Sequence, residues 1–274
     1  MQDTEAMLQQ LYRETCDEYN RSPLAVTGGY YHEPNDFTLL QLKEVVKRLP
    51  ATGGVFLDIG TGCGIIPRAI HKLGARSITV DWSATGTDDA IVNARAAGVE
   101  GYYCQVGYEL LPIEESSVDC VLLADVIEHL LHSPKPVLQD IRRVLKERGG
   151  CIATTPNALR LAVRAKVALG YSNWPPVMEY FDAPFHAGHH HEYTIQEFRG
   201  AFRRSGFVEE TFLLHETRLG RTPIASFADI RTRSRREPRG QTPTALRILS
   251  STLALLTTLI PQLRSEMLLV VSKR

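Results

Sequence analysis

The stretch Val55-Phe-Leu-Asp-Ile-Gly-Thr-Gly-Cys-Gly64 decides the fold of this 274-residue chain. Its first half is an apolar run with one acid, which is typical of a buried strand, and glycine then occupies every second position. Glycine tolerates positive φ and lets a ligand approach the backbone. A helical run from Ile65 to Leu73 follows at once, and the start of a helix presents unpaired N–H groups. The stretch therefore predicts a strand, a turn and a helix that form a nucleotide-type cradle.

The acid before the glycines indicates which ligand the cradle holds. A nicotinamide-binding fingerprint reads G-x-G-x-x-G, whereas this spacing is D-x-G-x-G-x-G. The carboxylate of Asp58 would repel a pyrophosphate but suits an ammonium group. A second acid, Asp81, ends the next predicted strand, where doubly wound folds place a carboxylate on ribose hydroxyls. Trp82 is expected to stack on an adenine, and a glycine-rich turn that binds nothing is the alternative.

The stretch Val55–Gly64 resembles motif I of the class I S-adenosylmethionine-dependent methyltransferases. The apolar run Val118–Asp125 and the segment 143–153, interpreted as a helix end with a glycine stop before a strand, resemble the later motifs in the same order. The resemblance covers roughly residues 50–215. It implies S-adenosyl-L-methionine as cofactor, with a binding set of Asp58, Gly60, Gly62, Asp81, Trp82, Gln105 and Asp125.

Strand and helix patterns alternate along the chain. They predict an α/β fold with a doubly wound, mostly parallel seven-stranded sheet. Residues 1–50 are expected to form an N-terminal helical lid, with Asp36 as the N-cap of its second helix. Residues 51–274 form the predicted methyltransferase core, with insertions at 156–193 after strand 5 and at 216–264 between strands 6 and 7.

Composition limits the possible partners and compartment. Thirty-one basic and thirty-one acidic residues cancel, which makes nucleic acid an unlikely partner. The five cysteines are scattered and are expected to be reduced thiols. The acidic N-terminus does not resemble a signal peptide, so a cytoplasmic location is expected. The oligomeric state is not predicted.

The second insertion has an unusual charge pattern. Residues 218–247 contain eight arginines against two acids, and the apolar run Ile248–Ile260 follows. A run of thirteen residues is too short to span a bilayer. Two interpretations stay open: a core-packed helix behind a solvated loop, or a peripheral contact of residues 231–260 with a membrane surface or an anionic substrate.

A cluster of metal-type ligands follows the fourth predicted strand, in Asp125-Val-Ile-Glu-His129. If a helix starts at Asp125, then Glu128 and His129 lie on the same face of it, at i+3 and i+4. Oxygen ligands with one nitrogen favour Mg²⁺ or Mn²⁺. The alternative is an acid-rich stretch that binds no metal, as in many metal-free methyltransferases.

The segment His186–Thr194 resembles the segment that supplies the last histidine ligand in the small-RNA 3′-terminal 2′-O-methyltransferases. His189 lies sixty residues after His129 and five before Thr194, as that pattern requires. Thr154-Thr-Pro-Asn157 is similar as well, although Asp125 replaces a glutamate. Quinone-pathway O-methyltransferases and bacterial glycan-cluster methyltransferases show related patterns. The resemblance implies a metal site built from Asp125, Glu128, His129 and His189.

These observations predict a metal-assisted O-methyltransferase that acts on a hydroxyl of a small-molecule or glycan-like acceptor, namely a sugar-like, glycolipid or phenolic compound. The candidate catalytic residues are His129, His189 and His190, and His190 or His191 is expected to accept the hydroxyl proton. Two alternatives stay open: a metal-independent methyltransferase acting on nitrogen or a carboxylate, and a protein that binds the cofactor without turnover.

Overall fold

The computed structural model describes residues 2–22, 32–82, 90–172, 181, 188–217 and 255–274. Its centre is a sheet of seven strands in the order β3-β2-β1-β4-β5-β7-β6. β1 to β5 pair in parallel, and β7 runs antiparallel to both β5 and β6. The predicted doubly wound, mostly parallel sheet is therefore confirmed. The strands are β1 (Val55–Ile59), β2 (Arg76–Asp81), β3 (Glu100–Tyr103), β4 (Val118–Ala124), β5 (Leu145–Pro156), β6 (Phe207–His215) and β7 (Glu266–Lys273).

Helices cover both faces of the sheet. The described α-helices are α1 (Gln2–Asn20), α2 (Asp36–Val46), α3 (Ile65–Lys72), α4 (Ala90–Ala96), α5 (Lys135–Val144), α6 (Leu161–Ala168) and α7 (Ile195–Arg204). Short 3₁₀ turns occur at Ile127–His129 and Pro261–Leu263. Buried side chains form two clusters, one containing α5 and α7 residues and the other containing α1, α2 and α3 residues. The N-terminal helices thus pack on a face of the sheet, where Tyr19 and Leu42 are fully buried.

Two local expectations are wrong. The N-cap of α2 is Asn35, whose side chain accepts a hydrogen bond from the Thr38 N–H at 2.8 Å, and Asp36 is the first helical residue. The glycine stop after α5 does not occur, because β5 begins at Leu145 directly after the helix. The register against β4 shifts between Val118 and Cys120. Gly149 and Gly150 therefore lie within an irregular strand and not in a helix cap.

Part of each insertion lies outside the described residues. Residues 218–254 of the second insertion lie outside the described residues. They include the arginine-rich segment and most of the apolar run for which a membrane contact was considered. No helix within the described ranges is long and apolar enough to cross a bilayer. All five cysteines are free thiols, as expected.

A buried ion pair on α5 holds the segment that follows β3. Asp140 accepts a hydrogen bond from the Leu111 N–H at 2.6 Å and another from the Arg143 guanidinium at 2.5 Å. Arg143 also donates to the carbonyls of Leu111 and Ile113. Because Asp140 is buried, these bonds fix the path of the chain at residues 111–113.

Replacing Asp140 with alanine should destabilise the fold by about 2–4 kcal/mol, since it leaves a buried N–H and the Arg143 cation without their acceptor. Urea unfolding followed by circular dichroism measures this loss. Glu147→Ala is the matched control, because Glu147 pairs with Lys273 but its side chain is 73% exposed. The control should change stability by less than about 0.5 kcal/mol. Equal effects of both variants would contradict a supporting role for Asp140.

Candidate functional site

The turn after β1 approaches the neighbouring chain closely. Gly60 donates its N–H to the Val80 carbonyl at 2.8 Å and has a φ of 77°. A Cβ atom at Gly60 would lie 2.3 Å from Val126 Cγ2, whereas one at Gly62 would meet nothing within 4 Å. Glycine at position 60 is therefore required both by its backbone conformation and by the residue that follows β4.

Asp58 is the fourth residue of β1, two positions before Gly60, and it is buried. Its carboxylate accepts a hydrogen bond from the Thr61 hydroxyl at 3.0 Å. Burial raises the pKa of Asp58 to about 7, with a smaller contribution from the Asp81 carboxylate, while the Thr61 hydrogen bond lowers it. The Thr61 hydrogen bond offsets only part of the cost of burying the charged carboxylate. A cation close to Asp58 would therefore stabilise its ionised form.

A cavity of about 470 Å³ opens beside the turn at the carboxyl edge of the sheet. Four of the predicted cofactor residues line it: Gly60, Asp81, Trp82 and Gln105. Asp58, Gly62 and Asp125 are not part of its described wall. The remaining lining residues are Cys104, Val106, Tyr108, Val126, His129, Leu130, Leu131, His132 and His190. Several belong to loops after β3 and β4, which only the topology of the parallel sheet identifies as neighbours.

Asp125 does not begin a helix, which corrects the expected spacing of the acid cluster. Its φ is 54°, a left-handed conformation, and only the short turn Ile127–His129 follows. An oxygen of Asp125 accepts a hydrogen bond from the Thr154 hydroxyl at 3.1 Å. Thr154 in turn accepts a hydrogen bond from the Gln41 amide at 3.1 Å, so α2 reaches the end of β5.

Three of the four predicted metal ligands come together. One ligand atom from each of Glu128, His129 and His189 lies within 4.8 Å of the others, although His189 follows His129 by sixty residues. Three ligand atoms of one coordination shell lie about 3–3.6 Å apart, so these side chains would have to move closer together to hold an ion. Asp125 does not belong to this group.

Glu128 is the buried member of the group. Its Oε2 atom accepts a hydrogen bond from the Thr155 hydroxyl at 2.9 Å. Its Oε1 atom has no hydrogen-bond partner among the described residues. Burial raises the pKa of Glu128 to about 8, with a smaller contribution from Asp125. A buried carboxylate oxygen without a partner is costly, and a cation would remove that cost.

Each of the two histidines has its Nδ1 atom beside an acceptor oxygen. His129 Nδ1 lies 3.1 Å from the Gly188 carbonyl, and His189 Nδ1 lies 3.0 Å from a Glu192 oxygen. Both partners only accept, so each Nδ1 carries the proton and each lone pair is on Nε2. His189 Nε2 is 4.0 Å from Glu128 Oε1, which is too long for a hydrogen bond.

Backbone hydrogen bonds attach the histidine segment to the turn after β4. The Glu128 carbonyl accepts from the N–H groups of His190 at 2.7 Å and His191 at 3.2 Å. The His190 side chain lines the cavity, whereas His191 packs against Tyr193. Of the two proposed proton acceptors, His190 is the one on the cavity wall. The capping box of Thr194 and Glu197 starts α7 directly after this segment.

Comparison with known proteins agrees with this architecture. Residues 57–153 match the family described as methyltransferase domain. The ubiquinone biosynthesis O-methyltransferase of Maricaulis maris is 34% identical over 109 residues, which are 39% of this chain and 42% of that protein. The protein of the same description from Caulobacter vibrioides is 30% identical over 137 residues, which are 49% of this chain and 54% of that protein. The chain therefore spans about half the length of these relatives.

A solved structure shows the same fold over most of the chain. The SAM-dependent methyltransferase from Archaeoglobus fulgidus superposes with a TM-score of 0.54 at 13% identity, covering 87% of this chain and 94% of that chain. The chain therefore shares the seven-stranded α/β fold of that methyltransferase. Residues 57–153, which match the methyltransferase-domain family, include the glycine turn and the strand that precedes the Glu128 turn.

Gly60→Ala should destabilise the protein without ligand by about 1–3 kcal/mol more than Gly62→Ala does. Both glycines have positive φ, so the backbone strain of alanine is shared, and only position 60 adds the clash with Val126. Thermal and urea unfolding of the two variants compare them directly. Identical losses would show that the close approach at Gly60 does not constrain the turn.

If Asp58 binds the ammonium group of S-adenosylmethionine, as predicted from the sequence, the ligand should bind more weakly as the pH falls through 7, because protonation of Asp58 removes that attraction. With a pKa of about 7, the ionised fraction of Asp58 drops about fivefold between pH 7 and pH 6. Calorimetric titration at the two pH values should show a similar drop in affinity. Asp58→Asn should bind more weakly at pH 7 and should lose this dependence; an unchanged pH profile in Asp58→Asn would assign it to other groups.

Proposed function

We propose that this protein is an S-adenosylmethionine-dependent O-methyltransferase that uses a divalent cation bound by Glu128, His129 and His189. The donor site is the cavity beside Gly60, with Asp81 and Trp82 on its wall. The methyltransferase domain match and the names of the O-methyltransferase relatives support the reaction class.

The observation that carries the cation site is the unpaired Oε1 atom of Glu128. This residue is 0% exposed, and the oxygen faces His189 Nε2 at 4.0 Å. A purely structural role for the cluster would join the two atoms in a hydrogen bond, or give the oxygen another donor. The gap instead suits an ion held between them.

The ligand types favour some metals over others. Two imidazole nitrogens and one carboxylate suit Mn²⁺, Fe²⁺ or Zn²⁺ better than Mg²⁺, which prefers oxygen ligands. The predicted preference for Mg²⁺ or Mn²⁺ depended on Asp125 as a second oxygen ligand. With Asp125 bonded to Thr154 outside the cluster, we propose Mn²⁺ ahead of Mg²⁺.

The arrangement explains how a poorly reactive hydroxyl becomes a nucleophile. The cofactor supplies an electrophilic methyl group, and a divalent cation lowers the pKa of a hydroxyl bound to it. His190 lines the cavity beside His129 and accepts the hydroxyl proton. The oxygen gains the methyl group, the proton goes to His190, and the sulfonium becomes a neutral thioether, so charge and atoms balance.

The cavity wall narrows the acceptor class. Val106, Tyr108, Leu130 and Leu131 make most of it apolar, although three histidines also contribute. An apolar wall suits a phenolic ring better than a free sugar. The names of the ubiquinone biosynthesis O-methyltransferase relatives agree with transfer to an oxygen atom. A phenolic hydroxyl is therefore the proposed acceptor group.

Chelation of the purified protein with EDTA should abolish methyl transfer from labelled S-adenosylmethionine to a panel of phenols and host extracts, and Mn²⁺ should restore it. Glu128→Gln should lose at least about 100-fold in turnover, because it removes the charge but not the volume of the ligand, while cofactor affinity stays within a few fold. His191→Ala is the control, since that half-exposed side chain packs on Tyr193 outside the cavity.

Other outcomes would redirect the assignment. Product formation that resists EDTA and tolerates Glu128→Gln would establish a metal-independent methyltransferase. Cofactor binding without a labelled product from any acceptor would establish a binding protein.

A further inference from the structure

We propose that Glu192 and Arg160 are positioning residues that fix the ring and tautomer of His189 for cation binding. This inference depends on the proposed cation site. Glu192 touches His189 at the nitrogen opposite the one that faces Glu128. Its charge is held in turn by the guanidinium of Arg160.

The first step concerns the tautomer of His189. A neutral imidazole carries one proton, and the nitrogen with the lone pair is the one that can bind a metal. The ionised carboxylate of Glu192 can only accept, so the 3.0 Å contact keeps the proton on Nδ1. The lone pair is then on Nε2, which faces the unpaired oxygen of Glu128. Carboxylate partners of this kind orient histidine ligands in metal sites.

The second step concerns the rigidity of Glu192. Arg160 donates to both of its oxygens, at 2.7 Å and 2.9 Å, and is itself only 8% exposed. Arg160 also donates to the Asn157 carbonyl at 3.0 Å. Two parallel hydrogen bonds to a carboxylate fix its orientation as well as its charge. A partly buried pair of this geometry loses less to solvent than a surface salt bridge does.

The third step links both ligands to the same strand end. Asn157 follows β5, and its side-chain amide donates to the carbonyls of Gln262 and Arg264 at 2.9 Å each. Thr155, near the end of β5, holds the other oxygen of Glu128. The end of β5 therefore sets the position of Glu128 through Thr155 and that of His189 through Arg160 and Glu192.

This role is tested by measuring how tightly the full chain binds Mn²⁺. Calorimetry gives the affinity, and the electron paramagnetic resonance signal gives the concentration of free Mn²⁺. Glu192→Ala should weaken Mn²⁺ binding by about 10- to 100-fold while leaving S-adenosylmethionine affinity within about threefold. Glu192→Gln keeps an acceptor for the Nδ1 proton but loses the charge pairing with Arg160, so an intermediate loss is expected. Glu209→Ala is the matched control, because Glu209 forms an equivalent two-bond pair with Arg199 away from the site.

A second measurement reports the tautomer without any metal. The ¹⁵N resonances of the His189 ring should show the proton on Nδ1 in the wild-type chain and a shift toward Nε2 in Glu192→Ala. Tight Mn²⁺ binding by wild type together with unchanged binding and tautomer in Glu192→Ala would overturn the positioning role and leave the cation site intact. Failure of the wild-type chain to bind Mn²⁺ would overturn the cation site and this inference with it. If Glu192→Ala does not fold, the Mn²⁺ affinity of Glu192→Gln decides: an intermediate loss supports the positioning role, and unchanged binding overturns it.

Discussion

One buried carboxylate oxygen governs the arrangement of this site. Glu128 is fully buried, yet its Oε1 atom has no hydrogen-bond partner among the described residues. Such an atom costs free energy unless something positive approaches it. Burial accordingly raises the pKa of Glu128 to about 8, so that a proton or a metal cation is favoured there near neutral pH. The rings of His129 and His189 lie beside the same short turn, and two backbone hydrogen bonds attach the histidine segment to it.

The parallel sheet explains why distant segments meet at this turn. The carboxyl ends of β1, β2, β4 and β5 open at one edge, which brings Gly60, Asp81, Glu128 and Thr155 into one neighbourhood. Val126 packs so closely on Gly60 that the glycine turn after β1 and the turn after β4 are neighbours. The backbone carbonyl of Glu128 accepts hydrogen bonds from the N–H groups of His190 and His191. These bonds place the histidine segment at the same edge of the sheet.

Features set by local pattern were predictable from the sequence. The strands of the sheet follow from apolar runs, and the turn after Asp58 follows from regularly spaced glycines. Both could be predicted because each pattern is contained in a few neighbouring residues. The convergence of Glu128, His129 and His189 was expected only through a family resemblance, because sixty residues separate the last two. Asp125 shows the limit of spacing arguments: its left-handed backbone breaks the assumed helix and turns the carboxylate toward Thr154.

Other parts had no sequence signal of their own. Arg160 and Glu192 are thirty-two residues apart, and their pairing depends on how the chain returns after β5. The cap at Asn35 differs from the expected one by a single position, because an extended backbone at that residue directs its side chain to the helix. The irregular start of β5 places two glycines inside a strand where a helix stop was expected. In β5, pairing with β4 overrides the local propensity for a helix stop.

The most direct measurement is a crystal structure of the protein with S-adenosylhomocysteine and Mn²⁺, with diffraction recorded at a wavelength where manganese scatters anomalously. We expect one strong anomalous peak within about 2.0–2.3 Å of Glu128 Oε1 and of the Nε2 atoms of His129 and His189. No peak at this position, with an ordered water or a protein donor bonded to Glu128 Oε1 instead, would contradict a cation site.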